Sequence, residues 1–546
     1  SGNAVFMERR VFTGDGYARL DWAEAFHDGR GRQVRVRRSD GRTAEASWGC
    51  CAKVSETLPD GRTYLYGYDA LKRPVSKTLL GFGGQPDHVT EYAYDASGRV
   101  VSSTVSGGGL SLSSATEYDL AGRVASSTDE AGRRTVYSRR AGENSWTGGR
   151  GERTEAVLPG GACTATELHC DGRVKSVTGD AQTSRYYDYG VNADGTQWTE
   201  ERLGGASSPR WTRTTVDMLG RVVKTEKPGC GGNAVATQQN HYDAAGRLSR
   251  TTRTGLADTL YEYDGLGELI RTGQDADGNG TLDLASNDRI TDNTTAYMQD
   301  NNDDWWLRSE QKLYATADDS TPTMVSASER RGSGFANGVV SETRSTDIHG
   351  NTVVTTTAVN RAAKTVTVES LSPGSAVAEQ RVTVNGLVVS IRSMSNLTTT
   401  YGYDGLRRRV STTNPRTGTS TVTYDAQGRV SSETDAAGGT TTYGYDNAGR
   451  LAWRRDALGK YARCEYNPRG QQVRVWGDTE YPVEYGYDQY GQRVAMTTFR
   501  AGASWDGDAW PNPAPQGDTT TWNYDEATGL LLSKAYADGH GPAYAY

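Results

Sequence analysis

The stretch TTTYGYDNAGRLAWRRDALGK, residues 440–460, contains the pattern that decides the fold. Two tyrosines, two residues apart, precede an aspartate, and a glycine and an arginine follow it. The position after the last tyrosine recurs every 21 residues, at Asp404, Asp425, Asp446, Asn467 and Asp488. Self-similarity at a fixed period of this length indicates a repeat architecture.

Further copies of the pattern lie in the N-terminal half, where adjacent copies are 21 to 26 residues apart. Their aspartates are Asp69, Asp95, Asp119, Asp243 and Asp264. The stretch VDMLGR, residues 216–221, is a copy that has lost its tyrosine. The repeat therefore extends over most of the chain.

One repeat is expected to form two short strands and two turns. The Thr- and Tyr-rich segment favours a strand, in which Tyr443 and Tyr445 share a face. The Asp446 carboxylate can accept hydrogen bonds from backbone N–H groups ahead of it, and Gly449 can take a positive φ, so a tight hairpin turn follows. The residues that define the most regular repeats are Tyr401, Tyr403, Asp404, Tyr443, Tyr445, Asp446, Tyr485, Tyr487 and Asp488.

Repeats of this kind predict an all-β fold of tandem hairpins. Side by side, equivalent tyrosines would form ladders, and each cross-strand aromatic pair contributes roughly 0.2–1 kcal/mol. A sheet of about twenty or more strands cannot stay flat, because strand twist accumulates. The predicted architecture is a spiral that closes into a large hollow shell or forms an open curved wall.

The composition fits a sheet whose faces are partly wet. The chain has 546 residues and 35% hydrophobic residues, with 66 glycines, 31 tyrosines and only 6 phenylalanines. The apolar fraction is below the ~45–50% of ordinary domains, although that reference includes glycine. A low apolar fraction usually indicates disorder, but the regular strand-and-turn pattern argues against it.

Charge and hydropathy exclude some classes of function. The net charge is −7 and the pI is about 5.6, whereas nucleic-acid binding requires a basic surface. The sequence contains no run of 18 apolar residues, so no transmembrane span is predicted. No signal peptide is visible. The chain begins SGNAVF and ends in the cut repeat GPAYAY, which suggests a fragment of a longer protein.

The chain divides by repeat regularity into six predicted segments. Two segments contain clear repeats, and a third contains the most regular repeats, the last of which is truncated. Two further segments contain degenerate repeats, and one is an insertion. The segments are 1–137 and 216–272 with YD-type repeats, 138–215 and 336–400 with degenerate repeats, 273–335 as an insertion, and 401–546 with regular repeats.

A candidate calcium loop lies in the insertion, in the stretch DADGNGTLD. Oxygen ligands at alternating positions around a glycine turn suit Ca²⁺. The predicted ligands are Asp275, Asp277, Asn279, Thr281 and Asp283. The loop departs from the EF-hand at its twelfth position, Ser286, for which Asp288 could compensate. A bound calcium would be structural; the alternative is a solvated turn.

The adjacent Trp305 and Trp306 are the second candidate site. If the two tryptophans are exposed, they would form a stacking surface for sugars or for a protein partner. If they are buried, they would fill the space where the insertion rejoins the repeats. Burial is favoured, because exposed adjacent tryptophans are costly.

Six cysteines occur, of which Cys163 and Cys170 flank a possible hairpin and could pair. A bond between the adjacent Cys50 and Cys51 would be strained. The metal interpretation of His169 and Cys170 lacks the Cys-x-x-Cys spacing of zinc sites.

No catalytic motif is present: no Gly-x-Ser-x-Gly, His-Glu-x-x-His or phosphate-binding loop occurs. No catalytic or cofactor-binding residues are therefore predicted, and the chain is expected not to be an enzyme.

The copies YAYDASGRV, YEYDGLGEL, YGYDNAGRL and YGYDQYGQRV resemble the YD repeat of the Rhs family. The resemblance implies a β-spiral closing into a hollow shell, similar to the cocoon of Tc-toxin B and C subunits, to polymorphic Rhs toxins and to the teneurin barrel. In bacterial members the shell encloses a C-terminal toxin domain, often released by self-cleavage. No clear Asp-Pro-x-Gly core segment is present, so neither cleavage residues nor a toxin is assigned.

Three hypotheses follow. The first is a non-enzymatic, exported shell, secreted or at the cell surface of a bacterium, that encapsulates the remainder of the polypeptide or an effector. The second is an extracellular glycan-binding or adhesion protein. The third is a polysaccharide lyase, whose chemistry would need converging Tyr, His and Arg. No nucleic-acid partner is expected.

Overall fold

The computed structural model describes residues 4–12, 16–143, 150–230, 234–314, 321–500 and 504–546. These residues form 43 strands and no helix, so none of them provides a membrane-spanning helix. Strands that follow one another along the chain pair antiparallel, and no recorded pairing between described strands joins the first to the last. The all-β prediction is confirmed as one open sheet.

The first ten strands are β1 (Ala4–Phe12), β2 (Tyr17–His27), β3 (Gln33–Arg38), β4 (Thr43–Trp48), β5 (Lys53–Thr57), β6 (Thr63–Tyr68), β7 (Pro74–Leu79), β8 (His88–Tyr94), β9 (Val100–Gly107) and β10 (Leu110–Tyr118). The next twelve are β11 (Val124–Thr128), β12 (Arg134–Glu143), β13 (Arg150–Val157), β14 (Cys163–Leu168), β15 (Val174–Thr178), β16 (Arg185–Val191), β17 (Gln197–Leu203), β18 (Trp211–Val216), β19 (Val222–Pro228), β20 (Val235–Tyr242), β21 (Leu248–Arg253) and β22 (Leu256–Tyr263).

Eleven strands follow: β23 (Leu269–Asp275), β24 (Arg289–Gln299), β25 (Trp305–Tyr314), β26 (Thr323–Arg331), β27 (Val339–Thr346), β28 (Thr352–Asn360), β29 (Thr365–Leu371), β30 (Glu379–Val384), β31 (Leu387–Arg392), β32 (Thr398–Tyr403) and β33 (Arg409–Asn414). The last ten are β34 (Gly418–Tyr424), β35 (Val430–Thr434), β36 (Thr440–Tyr445), β37 (Leu451–Arg455), β38 (Tyr461–Tyr466), β39 (Gln472–Gly477), β40 (Val483–Tyr487), β41 (Arg493–Thr498), β42 (Asp518–Tyr524) and β43 (Leu531–Ala535).

Strands occur in all six predicted segments, including the degenerate segment 138–215 and the insertion 273–335. The boundaries between these segments stay a prediction. Some residues of the predicted segments lie outside the described residues: 1–3, 13–15, 144–149, 231–233, 315–320 and 501–503.

The turn after Asp446 has the predicted geometry. The Asp446 Oδ1 accepts hydrogen bonds from the backbone N–H of Ala448 at 2.9 Å and of Arg450 at 2.8 Å, and Oδ2 accepts from Arg450 Nε at 2.7 Å. The Gly449 N–H donates to the Asp446 carbonyl at 2.9 Å, and Gly449 has a φ of 79°. One carboxylate thus closes the hairpin and fixes the arginine.

The second tyrosine of each regular repeat links it to the repeat before. The Tyr445 hydroxyl donates to the Val430 carbonyl at 2.8 Å, and the Arg429 guanidinium lies 4.6 Å from the centre of its ring. Arg429 is held in turn by Asp425, with Nε 2.8 Å from the carboxylate. Tyr466 packs in the same way against Arg450, at 4.9 Å, so in these two repeats the ring lies on an arginine of the preceding repeat, while the predicted ladder of equivalent tyrosines stays a prediction.

The glycine between the tyrosines leaves room for a tryptophan on the other face. Gly444 pairs with Trp453 across the hairpin, and a Cβ on Gly444 would lie 2.1 Å from the Trp453 ring. Any larger residue at 444 would therefore displace that indole.

The chain divides into two compact units: unit 1 comprises residues 1–113, 260–422 and 435–437, and unit 2 comprises 114–259, 423–434 and 438–546. Inside unit 1, segments distant in sequence meet through their turns. Asn385 Nδ2 donates to the Leu80 carbonyl at 3.0 Å. The backbones of Gly107 and Gly405 approach so closely that a Cβ on Gly107 would lie 2.1 Å from the Gly405 carbonyl oxygen.

Unit 2 is held in the same way by Arg210. Its guanidinium lies 3.7 Å from the centre of the Tyr490 ring. It donates to the Gln492 side chain at 2.8 Å and to the carbonyls of Glu526 at 3.1 Å and Asp525 at 3.2 Å. One arginine therefore joins three turns that are distant in the sequence.

Both faces of the sheet are partly exposed to solvent over much of its length. In β36 five consecutive residues, facing alternately to the two sides, are all half-buried. The accessible surface of the chain is 30578 Å², against roughly 19,000 Å² for a compact protein of 59.0 kDa. The fold is therefore mostly a single layer, and extended buried clusters are small.

Candidate functional site

The predicted calcium loop connects β23 to β24, which pair antiparallel through Gln274 and Arg289. Asp275 is the last residue of β23, and Asp288 immediately precedes β24. The pairing of the two strands therefore brings these two aspartates together at the base of the loop. Both are buried, with 4% and 3% of their surface exposed.

Three carboxylates converge at this base. One oxygen from each of Asp275, Asp277 and Asp288 lies within 4.8 Å of the others. The Asp275 carboxylate also accepts hydrogen bonds from the backbone N–H of Gly278 at 2.7 Å and of Gly280 at 2.9 Å. The loop thus folds tightly around a concentration of negative charge.

The other predicted ligands lie beside this group but do not all face it. The Asp283 Oδ2 accepts hydrogen bonds from Asn279 Nδ2 and from the Thr281 hydroxyl, both at 2.8 Å. These two bonds, the one from Asn279 first, lower the pKa of Asp283. Asp283 therefore pairs with the loop's own donors, and Asp288 supplies the third carboxylate instead.

The loop is anchored by a small apolar cluster in unit 1. Leu282 is 6% exposed and packs with Leu260, Ile290 and Tyr314, and Leu284 covers the cluster. Ile290 follows Asp288 by two residues and is fully buried. The aspartates are thus fixed to a rigid base, and hard oxygen ligands of this type suit Ca²⁺.

The two adjacent tryptophans lie in different environments, as alternation along β25 requires. Trp306 is 1% exposed; its Nε1 donates to the Asp300 carboxylate at 3.0 Å, and the Arg344 guanidinium lies 3.7 Å from its ring centre. Trp305 is half-buried. The ligand-stacking role considered for the pair therefore cannot involve Trp306, whose faces are covered.

The cysteine pairing considered from the sequence is wrong. Cys163 begins β14 and Cys170 lies beyond its end, so roughly 20 Å of extended chain separates them. A disulfide needs Cα atoms within about 7 Å. All six cysteines are unbridged.

Tyrosine, histidine and arginine, the residue types of a lyase, do meet in one shallow hollow of unit 2. It is lined in part by Arg221, His241 and Tyr242. The Tyr242 hydroxyl donates to the Val222 carbonyl at 2.8 Å, and Arg221 Nε donates to Asp217 at 2.7 Å while its guanidinium covers the Tyr242 ring at 4.5 Å. The Tyr242 and Arg221 side chains are thus engaged in the turn contacts of their own repeat.

Comparison with known proteins agrees with this fold. Residues 424–461, which include β35, β36 and β37, match the model of the RHS Repeat family. No curated protein matches the chain significantly.

Two solved structures share the architecture. The Photorhabdus luminescens Tc holotoxin pore has 12% sequence identity and a TM-score of 0.51, with 98% of this chain and 35% of that chain covered. The TcdB2-TccC3-Cdc42 crystal structure has 11% identity and a TM-score of 0.50, with 98% and 37% covered. The chain thus spans about a third of the length of the structures it matches, and at this identity the likeness shows the fold.

The fold and the repeated turn define a class: an all-β scaffold built from YD-type hairpins. Residues 424–461 match the Rhs repeat, and the chain as a whole shares the fold of the Tc-toxin structures, so it is similar to Rhs/YD-repeat proteins.

Proposed function

We propose that the chain is part of the wall of an exported YD-repeat shell that encapsulates a polypeptide cargo. The observation that carries the proposal is the single-layer sheet, in which strands such as β36 are half-buried on both faces. A sheet whose strands are half-buried on both faces is suited to act as a wall between two compartments. The cargo would be the remainder of the same polypeptide or a separate effector.

The polarity of the sheet suggests how cargo would be held. A wall rich in threonine, tyrosine and arginine offers little contiguous apolar surface, and packed interfaces depend on an apolar core. We therefore expect the wall to enclose its cargo partly unfolded, without tight docking. A folded domain found firmly docked against the sheet would contradict this part of the proposal.

Small-angle X-ray scattering of the purified chain tests the wall itself. A single-layer wall is expected to give the scattering of a hollow or C-shaped particle, with a radius of gyration well above the ~24 Å of a compact 546-residue domain. A solid compact particle would mean that the sheet packs on itself, and would contradict the proposal that the chain forms part of a shell.

Calcium binding by the loop between β23 and β24 is a second proposed function, supported by the convergence of Asp275, Asp277 and Asp288 within 4.8 Å. Three carboxylates this close repel one another, and a cation would relieve that repulsion. The ion would be structural, holding the loop on the cluster that contains Leu282 and Ile290.

Calcium is accordingly expected to stabilise unit 1. At a concentration 100 times the Kd, binding should add about 2.7 kcal/mol to the free energy of unfolding. Differential scanning fluorimetry with calcium or with EGTA measures the shift, and isothermal titration calorimetry measures the Kd.

Asp288→Asn should abolish the calcium-dependent shift, whereas the control Asp258→Asn, in the neighbouring β22, should retain it. Unchanged melting and no heat of binding at millimolar calcium would leave the loop as a solvated turn.

A further inference from the structure

The adjacent cysteines Cys50 and Cys51 lie in the short loop between β4 and β5, and both are exposed. The loop is closed by a hydrogen bond from the Gly49 N–H to the Ala52 carbonyl at 2.8 Å. Its backbone is therefore fixed on both sides of the two cysteines.

Two arginines from the neighbouring turn hold this loop in place. Arg32 Nη1 donates to the Gly49 carbonyl at 2.7 Å, and Arg30 Nη1 donates to the Cys50 carbonyl at 2.6 Å. Arg32 is itself fixed by Asp28, with Nε 2.8 Å from the carboxylate. The peptide that carries the thiols is thus held from outside, while the thiols themselves face solvent.

The two sulfur atoms lie side by side. The Cys51 thiol donates a hydrogen bond to the Cys50 sulfur, with the sulfurs 2.9 Å apart. This hydrogen bond, followed by the positive charges of Lys72 and Arg30, lowers the pKa of Cys50, and the same hydrogen bond raises the pKa of Cys51. Arg30 donates to the carbonyl of Cys50 and so brings positive charge to the Cys50 side of the pair, which places Cys50 to attack first and Cys51 to resolve what Cys50 forms.

We propose that Cys50 and Cys51 form a redox-modification site that small-molecule disulfides convert to a vicinal disulfide. The Cys50 thiolate attacks one sulfur of the reagent disulfide, forming a mixed disulfide and releasing one thiolate. The Cys51 thiol then loses its proton to solvent and attacks the Cys50 sulfur, releasing the second thiol. The two cysteines lose two hydrogens, and the reagent is reduced to two thiols.

The bond formed is expected to be labile. Adjacent Cα atoms are about 3.8 Å apart, whereas ordinary disulfides span about 4.4–6.8 Å. Strained and exposed disulfides are the readily reduced ones. The site is thus a reversible redox switch in the β4–β5 loop rather than a structural crosslink.

Oxidation of the full chain by glutathione disulfide, followed by non-reducing peptide mapping, tests the proposal. The peptide containing Cys50 and Cys51 should lose two hydrogens and regain them with millimolar reduced glutathione. Cys51→Ser should stop at a stable glutathione adduct on Cys50. Cys50→Ser should react about tenfold more slowly, because the better thiolate is absent.

Phenylarsine oxide, which bridges neighbouring thiols, gives an independent readout. The reduced chain should bind one equivalent at this site, and either serine variant should not. Cys170→Ser, which removes another exposed cysteine, is the matched control and should change neither result. Two outcomes would overturn the proposal: separate stable adducts on both cysteines, or a disulfide from either cysteine to another cysteine or another chain. Peptide mapping of the wild-type chain distinguishes these outcomes from a vicinal disulfide, even if a variant fails to fold.

Discussion

Trp306→Ala is expected to destabilise unit 1 by about 3–5 kcal/mol, the usual cost of removing a buried tryptophan. Three losses combine at this position. The indole is 1% exposed, it donates a hydrogen bond to Asp300 at 3.0 Å, and it lies under the Arg344 guanidinium at 3.7 Å. Removing it leaves a cavity and two charged groups without this partner, in a sheet with few other large buried side chains.

Urea denaturation measures the change in the free energy of unfolding, and hydrogen exchange should show the loss concentrated in β25, β26 and β27. Trp306→Phe should cost less, because a ring remains under Arg344 and only the hydrogen bond to Asp300 is lost. Trp305→Ala is the matched control on the opposite face of the strand. Equal losses for the two alanine variants would show that Trp306 has no special role.

The repeat turn could be predicted from the sequence because all its determinants are local. Asp446, Gly449 and Arg450 lie within five residues, and the hydrogen bonds they form join neighbours along the chain. The copy at Asp217, which has lost its tyrosine, keeps the same bonds to Arg221, at 2.9 Å from N and 2.7 Å from Nε. The turn therefore does not depend on the tyrosine.

The contacts between repeats could not be predicted in the same way. The packing of Arg429 on Tyr445 depends on the register of two separate hairpins, and one repeat considered alone favoured a tyrosine partner. The same limit applies to the candidate metal site. Asp283 has the better sequence spacing, but the pairing of β23 with β24 brings Asp288 to Asp275 instead.

A buried carboxylate in unit 2 escaped the sequence analysis altogether. Glu200 in β17 is 3% exposed and forms ion pairs with Arg202 and with Arg213, whose Nη2 is 2.6 Å from Oε2. Arg213 is its cross-strand partner in β18 and lies 4.6 Å from the ring centre of Trp198. Nothing in the local sequence distinguishes Glu200 from Glu201, because only the facing strands decide which of them is covered.

Glu200→Ala is therefore expected to lower the free energy of unfolding of unit 2 by about 2–3 kcal/mol. Breaking a fully buried ion pair costs about 3–5 kcal/mol, because the remaining charge is left unpaired. The expected loss is smaller here, since the side chains of Arg202 and Arg213 are 28% and 40% exposed and can recover water.

Urea denaturation again gives the measurement, with Glu201→Ala as the matched control. Glu201 lies on the opposite face of β17, has 37% side-chain exposure and is 3.7 Å from Arg185, so its removal should cost below 1 kcal/mol. Glu200→Gln should fall between the two, because the amide oxygen still accepts one arginine hydrogen bond but carries no charge. If Glu200→Ala and Glu201→Ala lost equal stability, the buried ion pairs would contribute no more than exposed ones, and cohesion of unit 2 would rest on turn contacts such as those of Arg210.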